Sequence, residues 1–174
     1  MIKFILWFLL LVTTLALGVA TWMGALQPVS ISERTDGPFL LVYREQKDFD
    51  PTEIGSITTE LDGILKTAGV GQRRPLDVFY PEGRAEVGFS VAGVTRDKLA
   101  ASLGDKAKVR EIPKQEFMTA TFPYRNPASY VLGFLKIDPA LEKYRAAHGY
   151  RKVEALAVHS PDGIIYMQPI ARSN

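Results

Sequence analysis

The sequence predicts an α+β fold of tandem strand–helix–strand–strand repeats, which form an antiparallel sheet with helices on one face, preceded by one transmembrane helix. Three observations predict it. The chain begins with a long apolar run. Two amphipathic helical patterns follow, 80 residues apart, and a glycine closes each. A Pro-acid-Gly turn lies beyond each helix at the same offset, between two strand-like segments.

The N-terminal segment is predicted to span a bilayer. Lys3 is the only charged residue before Glu33, and Phe4–Leu26 is an apolar run of 23 residues. As a helix it would be about 34 Å long, enough for a bilayer core of roughly 30 Å. The alternative is a cleaved signal peptide, for which Gly18-Val19-Ala20 and Met23-Gly24-Ala25 offer cleavage sites. Because the run exceeds a usual signal core, we expect an uncleaved anchor.

Charge next to this helix predicts its orientation. The N-terminal amine and Lys3 precede it, whereas residues 27–41 carry one basic and two acidic side chains. The positive-inside rule then places the N-terminus in the cytoplasm. We expect a single-pass inner-membrane protein with an anchor, residues 1–26, and an extracytoplasmic domain, residues 27–174.

The domain is predicted to contain repeat one, about residues 29–91, and repeat two, about residues 109–171. Apolar residues of one helix face recur at an offset of 80, and Val29 corresponds to Val109. The other equivalent pairs are Ile54–Phe134, Ile57–Ile137, Leu61–Leu141, Ile64–Tyr144 and Gly69–Gly149. The spacing of 3, 4 and 3 residues is that of one helix face, so Phe134 and Tyr144 are expected in the core.

Capping residues define the first helix, and turn residues define the strands around it. Asp50 is expected to cap this helix, with Pro51 in the first turn, Glu53 in a capping box and Gly69 at the end. The strands are Phe39–Arg44, Leu76–Tyr80 and Ala85–Val91, the last two joined by Pro81-Glu82-Gly83.

The second repeat follows the same order, after a short helix at Thr95–Leu103. Asn126-Pro127 begins a helical region that ends at Gly149. Pro139 lies inside it and predicts a kink or two abutting helices, with Asp138 capping the second. The strands are Phe117–Phe122, Val153–Val158 and Ile164–Ile170, the last two joined by Pro161-Asp162-Gly163.

With both helices on one face of the sheet, the other face is left as a concave groove or packs against something. Three local sequences accompany this architecture. They are Val109-Arg110-Glu111-Ile112-Pro113 before the strand at Phe117, Leu141-Glu142-Lys143-Tyr144 followed by His148-Gly149, and Val153-Glu154-Ala155 followed by Ile165-Tyr166-Met167-Gln168-Pro169-Ile170.

The chain thereby resembles the GyrI-like small-molecule-binding family, whose module is the effector-binding domain of AraC-type and MerR-type regulators. The family's His-x-Gly-Pro-aromatic segment is absent, and Phe122-Pro123-Tyr124-Arg125-Asn126-Pro127 stands in its place. The resemblance implies that Glu154 lies in the groove between the repeats and faces a cationic or polar ligand. Arg74 is its equivalent at the offset of 80 and could pair with it, which would neutralise the site. The candidate ligand-binding residues are Glu154, Arg74, Tyr80, Phe89, Tyr130 and Tyr166, and Tyr124 is a further candidate groove wall.

Composition excludes several other functions. There is no cysteine, the only histidines are His148 and His159, and the net charge is +2, so we predict no metal, no cofactor and no nucleic-acid partner. The prediction is a membrane-tethered module that binds a small amphipathic molecule, cationic or polar. One alternative is a non-catalytic accessory or structural subunit of a membrane protein complex. The other alternative is implied by the resemblance, because some GyrI-like proteins are hydrolases: a small-molecule hydrolase with Glu154 as general base beside Tyr80 or Tyr166.

Overall fold

The computed structural model describes residues 2–24 and 26–172, so Ala25 of the second candidate cleavage site lies outside the described residues. The helices are α1 (Ile2–Trp22), α2 (Ile54–Thr67), α3 (Arg96–Leu103) and α4 (Pro127–Ala147), and a short 3₁₀ turn covers Gly104–Lys106. The strands are β1 (Ser32–Asp36), β2 (Phe39–Gln46), β3 (Arg73–Phe79), β4 (Ala85–Val91), β5 (Lys108–Ile112), β6 (Gln115–Phe122), β7 (Ala155–Ser160) and β8 (Gly163–Pro169).

Helix α1 is separate from the domain and exposes its apolar side chains along its length. Its segment Lys3–Trp22 is long and apolar enough to cross a membrane, as a membrane anchor or a signal sequence must be. It ends at Trp22 and not at Leu26, because Gly24 turns the chain with a φ of +88°.

The eight strands form one antiparallel sheet in the order β1-β6-β8-β7-β3-β4-β2-β5, which confirms the predicted α+β class. Two short edge strands, β1 and β5, were not predicted. The repeats exchange them: β1 of the first repeat pairs with β6 of the second, and β5 of the second pairs with β2 of the first. Central strands β3 and β7 pair with each other and join the two halves.

The repeats correspond at more than one offset. Helices α2 and α4 both end at the predicted offset of 80. The edge strands are related by an offset of 76. Glu33 of β1 pairs with Met118, and its equivalent in β5, Val109, pairs with Val42. The predicted equivalence of Val29 with Val109 is therefore wrong. The shift arises in the helices, because α4 (21 residues) is longer than α2 (14 residues) by more than the loop before it is shorter.

The helix ends differ from the sequence prediction at two places. Helix α2 begins at Ile54, and Asp50 does not cap it; instead its Oδ1 accepts hydrogen bonds from the backbone N and the Oγ1 of Thr52. Helix α4 runs through Pro139 as one helix, so Asp138 caps no second helix.

The N-terminus of α4 is as predicted. The Oδ1 of Asn126 accepts from the backbone N of Ser129, and the Oγ of Ser129 accepts from the backbone N of Asn126. This reciprocal capping box fixes the first turn of α4.

Two apolar clusters join the helices to the sheet. Leu61 and Leu65 of α2 pack on β2 and β4, whereas Ile137 and Leu141 of α4 pack on β6 and β8. Phe134 is not in the core, since its side chain is 38% exposed, and Tyr144 is only partly buried. The face of α4 that packs on the sheet is therefore centred on Ile137 and does not include Phe134.

The face of the sheet without helices, here called the strand-only face, is closed by the sheet itself. Its eight central apolar residues, all from strands, are at most 3% exposed. Phe39 of β2 and Phe117 of β6 contact each other with ring centroids 6.4 Å apart, although four strands lie between β2 and β6. In a flat sheet they would be about 24 Å apart. The sheet therefore curls until its two halves meet, and side chains of the chain fill the middle of the predicted groove.

Candidate functional site

A cavity of about 370 Å³ lies on the opposite, helix-covered face, between the first turns of α2 and α4. We call it the interhelix cleft. Ile54, Gly55 and Thr58 of α2 form one wall, and Tyr124, Tyr130 and Val131 form the other. Asp77 of β3 and His159 of β7 lie on the central strands beneath, with Pro51 and Pro75 at the edges. The cleft thus lies where the two repeats meet, and its volume suits a small molecule.

The floor of the cleft carries a buried carboxylate. Asp77 is 3% exposed; its Oδ2 accepts a hydrogen bond from the hydroxyl of Tyr130 at 3.0 Å, and its Oδ1 accepts one from the backbone N of Gly88 at 3.2 Å. Within residues 2–24 and 26–172, no basic side chain forms an ion pair with it. Burial therefore raises the pKa of Asp77 to about 6, against the opposing effect of its two hydrogen bonds.

Aromatic rings surround this carboxylate. The ring of His159 stacks on Tyr130 with centroids 5.9 Å apart, and Tyr124 lies 5.4 Å from His159. Burial lowers the pKa of His159, so this imidazole is neutral at pH 7. Burial also raises the pKa of Tyr130, which therefore keeps its proton for Asp77. Among the residues that line the cleft, Asp77 is the charged group at neutral pH.

Three of the six predicted binding residues lie on the helix-covered face. Tyr130 lines the cleft. Tyr166 lies behind it and donates a hydrogen bond to the backbone O of Tyr130 at 2.9 Å. Phe89 is 4% exposed and belongs to the core beneath α2. Of these three, Tyr130 alone reaches the cavity.

The other three lie on the strand-only face and do not form one site. Phe79 pairs with Ala155 at one end of the ladder between β3 and β7; Tyr80 follows β3 there, and Glu154 precedes β7 and is not part of the strand, contrary to the prediction. Arg74 lies at the opposite end of the same ladder, six residues from Tyr80 and therefore about 20 Å away. Arg74 and Glu154 form no ion pair in the described part of the chain, so the pairing that the sequence left open is not present there.

Tyr80 belongs to a separate, internally satisfied charge cluster. Its hydroxyl donates to Glu86, which is 3% exposed, and Arg110 donates to both Glu86 and Tyr80. The guanidinium of Arg84 stacks 3.5 Å above the Tyr80 ring. Burial, with the neighbouring Glu86, raises the pKa of Tyr80 to about 12. Because each member already has a partner, this cluster stabilises the strand-only face, and its buried carboxylate, Glu86, is already paired.

The sequence analysis missed Asp77. A signal was present, because Asp77 stands inside an apolar strand between Leu76 and Val78, where an unpaired charge is costly. The family resemblance indicates Glu154 instead. In the part of the chain that the structure describes, no group of three or more His, Asp or Glu side chains is placed to hold a metal ion.

Comparisons with known proteins agree on the fold. No family model matches the sequence, and no curated protein does. Solved structures do match. SAV2435 bound to tetraphenylphosphonium is 9% identical with a TM-score of 0.57, covering 81% of this chain and 92% of that one. The C-terminal domain of EcmrR is 10% identical with a TM-score of 0.57, covering 83% and 99%.

A third solved structure is a putative bacterial transcription regulation protein from Staphylococcus aureus MU50, which is 10% identical. Its TM-score is 0.50, and the match covers 83% of this chain and 99% of that one. At such low identity the likeness concerns the arrangement of helices and strands. The chain therefore has the fold of the GyrI-like domains, as the sequence resemblance implies.

Proposed function

We propose that this protein is a membrane-tethered binding module whose interhelix cleft takes a small amphipathic cation. The observation that carries the proposal is the Asp77 carboxylate, which is buried on the floor of an aromatic cleft without a cationic partner among the described residues. A buried charge without a counter-ion costs stability, and a ligand that brings the opposite charge relieves that cost.

The walls of the cleft suit the apolar part of such a ligand. Tyr124, Tyr130 and His159 present ring faces and edges, while Ile54 and Val131 add aliphatic surface. A cation over a tyrosine ring gains about 0.5–2 kcal/mol, depending on its desolvation. A lipophilic cation would therefore gain from the rings and from Asp77 together. The solved neighbour bound to tetraphenylphosphonium makes that cation a suitable probe.

Binding of tetraphenylphosphonium should depend on pH. Asp77 is ionised above pH about 6 and loses its charge as the pH falls through that value. Protonation of His159 at lower pH would add a like charge beside the ligand. The affinity measured by calorimetry on the detergent-solubilised chain should therefore stay constant above this pH and fall about tenfold for each pH unit below it.

A matched variant decides which carboxylate matters. Glu154→Gln removes a charge from the strand-only face and leaves the cleft intact. We expect this variant to bind tetraphenylphosphonium like the wild type. If Glu154→Gln lost binding, or if the wild-type affinity were the same on both sides of pH about 6, the proposed site would be refuted.

Tethering is the second part of the proposal, and it rests on the exposed apolar helix α1. The intact mass of the protein extracted from membranes should correspond to a chain that keeps residues 2–24. A mature N-terminus at Thr21 or at Leu26, after either candidate cleavage site, would contradict it.

A further inference from the structure

The end of the anchor is packed against the second repeat. Gly24 is buried, and an added Cβ there would lie 2.8 Å from Pro123 and 3.2 Å from Phe122. The ammonium of Lys136 donates to the backbone O of Gly24 and to that of Gln27. The segment that follows α1 therefore packs against the loop before α4 and against the middle of α4.

This contact sets how far that region lies from the bilayer. Gly24 is two residues beyond Trp22, the last residue of α1, so it lies within about 7 Å of the helix end. The headgroup layer on each side of a bilayer is roughly 5–8 Å thick. If α1 spans the membrane, Pro123 and Lys136 lie at the depth of the lipid headgroups.

The first half of α4, near this point, exposes apolar side chains. Residues 127–135 contain no charged side chain, whereas charges are frequent in the following half of the helix. Val131 is 50% exposed and Leu135 is 66% exposed, and they lie one turn apart. Tyr124, in the loop that leads to α4, is 43% exposed. We call Tyr124, Val131 and Leu135 the apolar rim, because Tyr124 and Val131 also line the cleft.

The corresponding part of α2 provides an internal comparison. At the offset of 80, Val131 corresponds to Pro51 and Leu135 to Gly55, and the next exposed residues of α2 are Ser56 and Thr59. The exposed aliphatic residues occur on the helix that contacts the anchor and not on its equivalent. The fold of the repeat alone therefore does not account for them, and exposed apolar patches commonly mark contact surfaces.

We propose that the apolar rim contacts the surface of the bilayer into which α1 inserts, so that the interhelix cleft opens at the membrane interface. Tyrosine and aliphatic side chains are suited to the headgroup boundary, and the exposed Arg125 beside Tyr124 would attract anionic lipids. The inference rests on the anchoring of α1 and not on occupation of the cleft. It adds to the proposed function that an amphipathic ligand would reach the cleft from the lipid phase.

The chain contains no cysteine, so a fluorophore attached to one introduced cysteine reports the environment of that position alone. Full-length Leu135→Cys would carry an environment-sensitive fluorophore, in vesicles of phosphatidylcholine and phosphatidylglycerol that contain nitroxide-labelled lipids. Ala147→Cys is the matched control, since Ala147 is exposed on the same helix and about 18 Å farther along it. We expect a blue-shifted emission and several-fold stronger quenching for the label at position 135.

Two results would overturn the proposal. One is equal quenching at both positions. The other is a blue-shifted emission of the label at position 135 that is lost when the protein is diluted at constant lipid. That result would indicate that a second copy of the chain covers this surface. Flotation of the same vesicles reports anchoring separately, and no ligand is added. Failure of the rim contact is thus distinguishable from failure of tethering or of cation binding.

Discussion

Replacement of Asp77 by Asn should stabilise the protein at neutral pH and abolish cation binding. Because the folded pKa of about 6 exceeds the ordinary value of 3.8, the folded state binds a proton more tightly than the unfolded chain. Stability from this group is present at low pH and is lost as the pH rises through about 6. The difference corresponds to about 3 kcal/mol at pH 7. Asn keeps both contacts, accepting from Gly88 and donating to the Tyr130 oxygen.

Thermal melting at two pH values checks this prediction. At pH 7 the variant should melt several degrees higher than the wild type, and near pH 4 the two should converge because the wild-type carboxyl is then protonated. The tetraphenylphosphonium titration should show no binding at either pH. A lower melting temperature for Asp77→Asn at both pH values would show that the carboxylate stabilises the fold, and would remove the argument for a ligand.

Asp62→Asn is the control with the opposite sign. Hydrogen bonds from Arg73 and Lys66 lower the pKa of Asp62 to about 2. Its contribution to stability is therefore present above its ordinary pKa of 3.8 and is lost as the pH falls through about 2. Asp62→Asn should lower the melting temperature slightly at neutral pH and leave cation binding unchanged. The two variants thus distinguish Asp77, whose charge destabilises the folded state, from Asp62, whose charge stabilises it.

Phe117→Ala should be among the most destabilising substitutions in the domain, lowering the free energy of unfolding by about 3–5 kcal/mol. Phe117 is fully buried on the strand-only face, where it contacts Phe39 from the other half of the sheet. Truncation would leave a cavity at the point where the two halves meet. Urea unfolding monitored by far-ultraviolet circular dichroism measures the loss.

Phe134→Ala serves as the comparison, since the sequence pattern had placed Phe134 in the core and its side chain is 38% exposed. Its truncation should cost far less than that of Phe117. If both substitutions cost little, the strand-only face would be an open groove in solution, and Glu154 and Tyr80 would again be candidates for the ligand site.

Local patterns predicted most of the secondary structure. The glycines after both long helices, the capping Asn126 and the two Pro-acid-Gly turns mark boundaries through short-range chemistry, which a sequence shows directly. Strand β1 was missed because Ser32–Asp36 carries no apolar alternation. Its partners in β6 are about 80 positions away in the sequence, so no local pattern predicts the pairing.

The site was predicted only in part, because strand alternation assigns residues to two faces but does not say which face the helices cover. Tyr80 and Glu154 lie on the strand-only face, whereas Tyr130 and Tyr166, which were grouped with them, lie on the helix-covered face. The closure of the strand-only face depends on the curl of all eight strands. Asp77 could have been noticed as a charge in a central strand, but its neighbour Tyr130 is 53 residues away.

The exchanged edge strands have a consequence for how the protein is made. Strand β1 leaves the ribosome soon after α1, yet its partner β6 is complete only at Phe122. During synthesis β1 therefore stays without its partner strand until β6 of the second repeat has been translated. Neither half can finish its sheet alone, so the domain should mature in a single late step. A chain truncated before β6 should therefore remain sensitive to proteases.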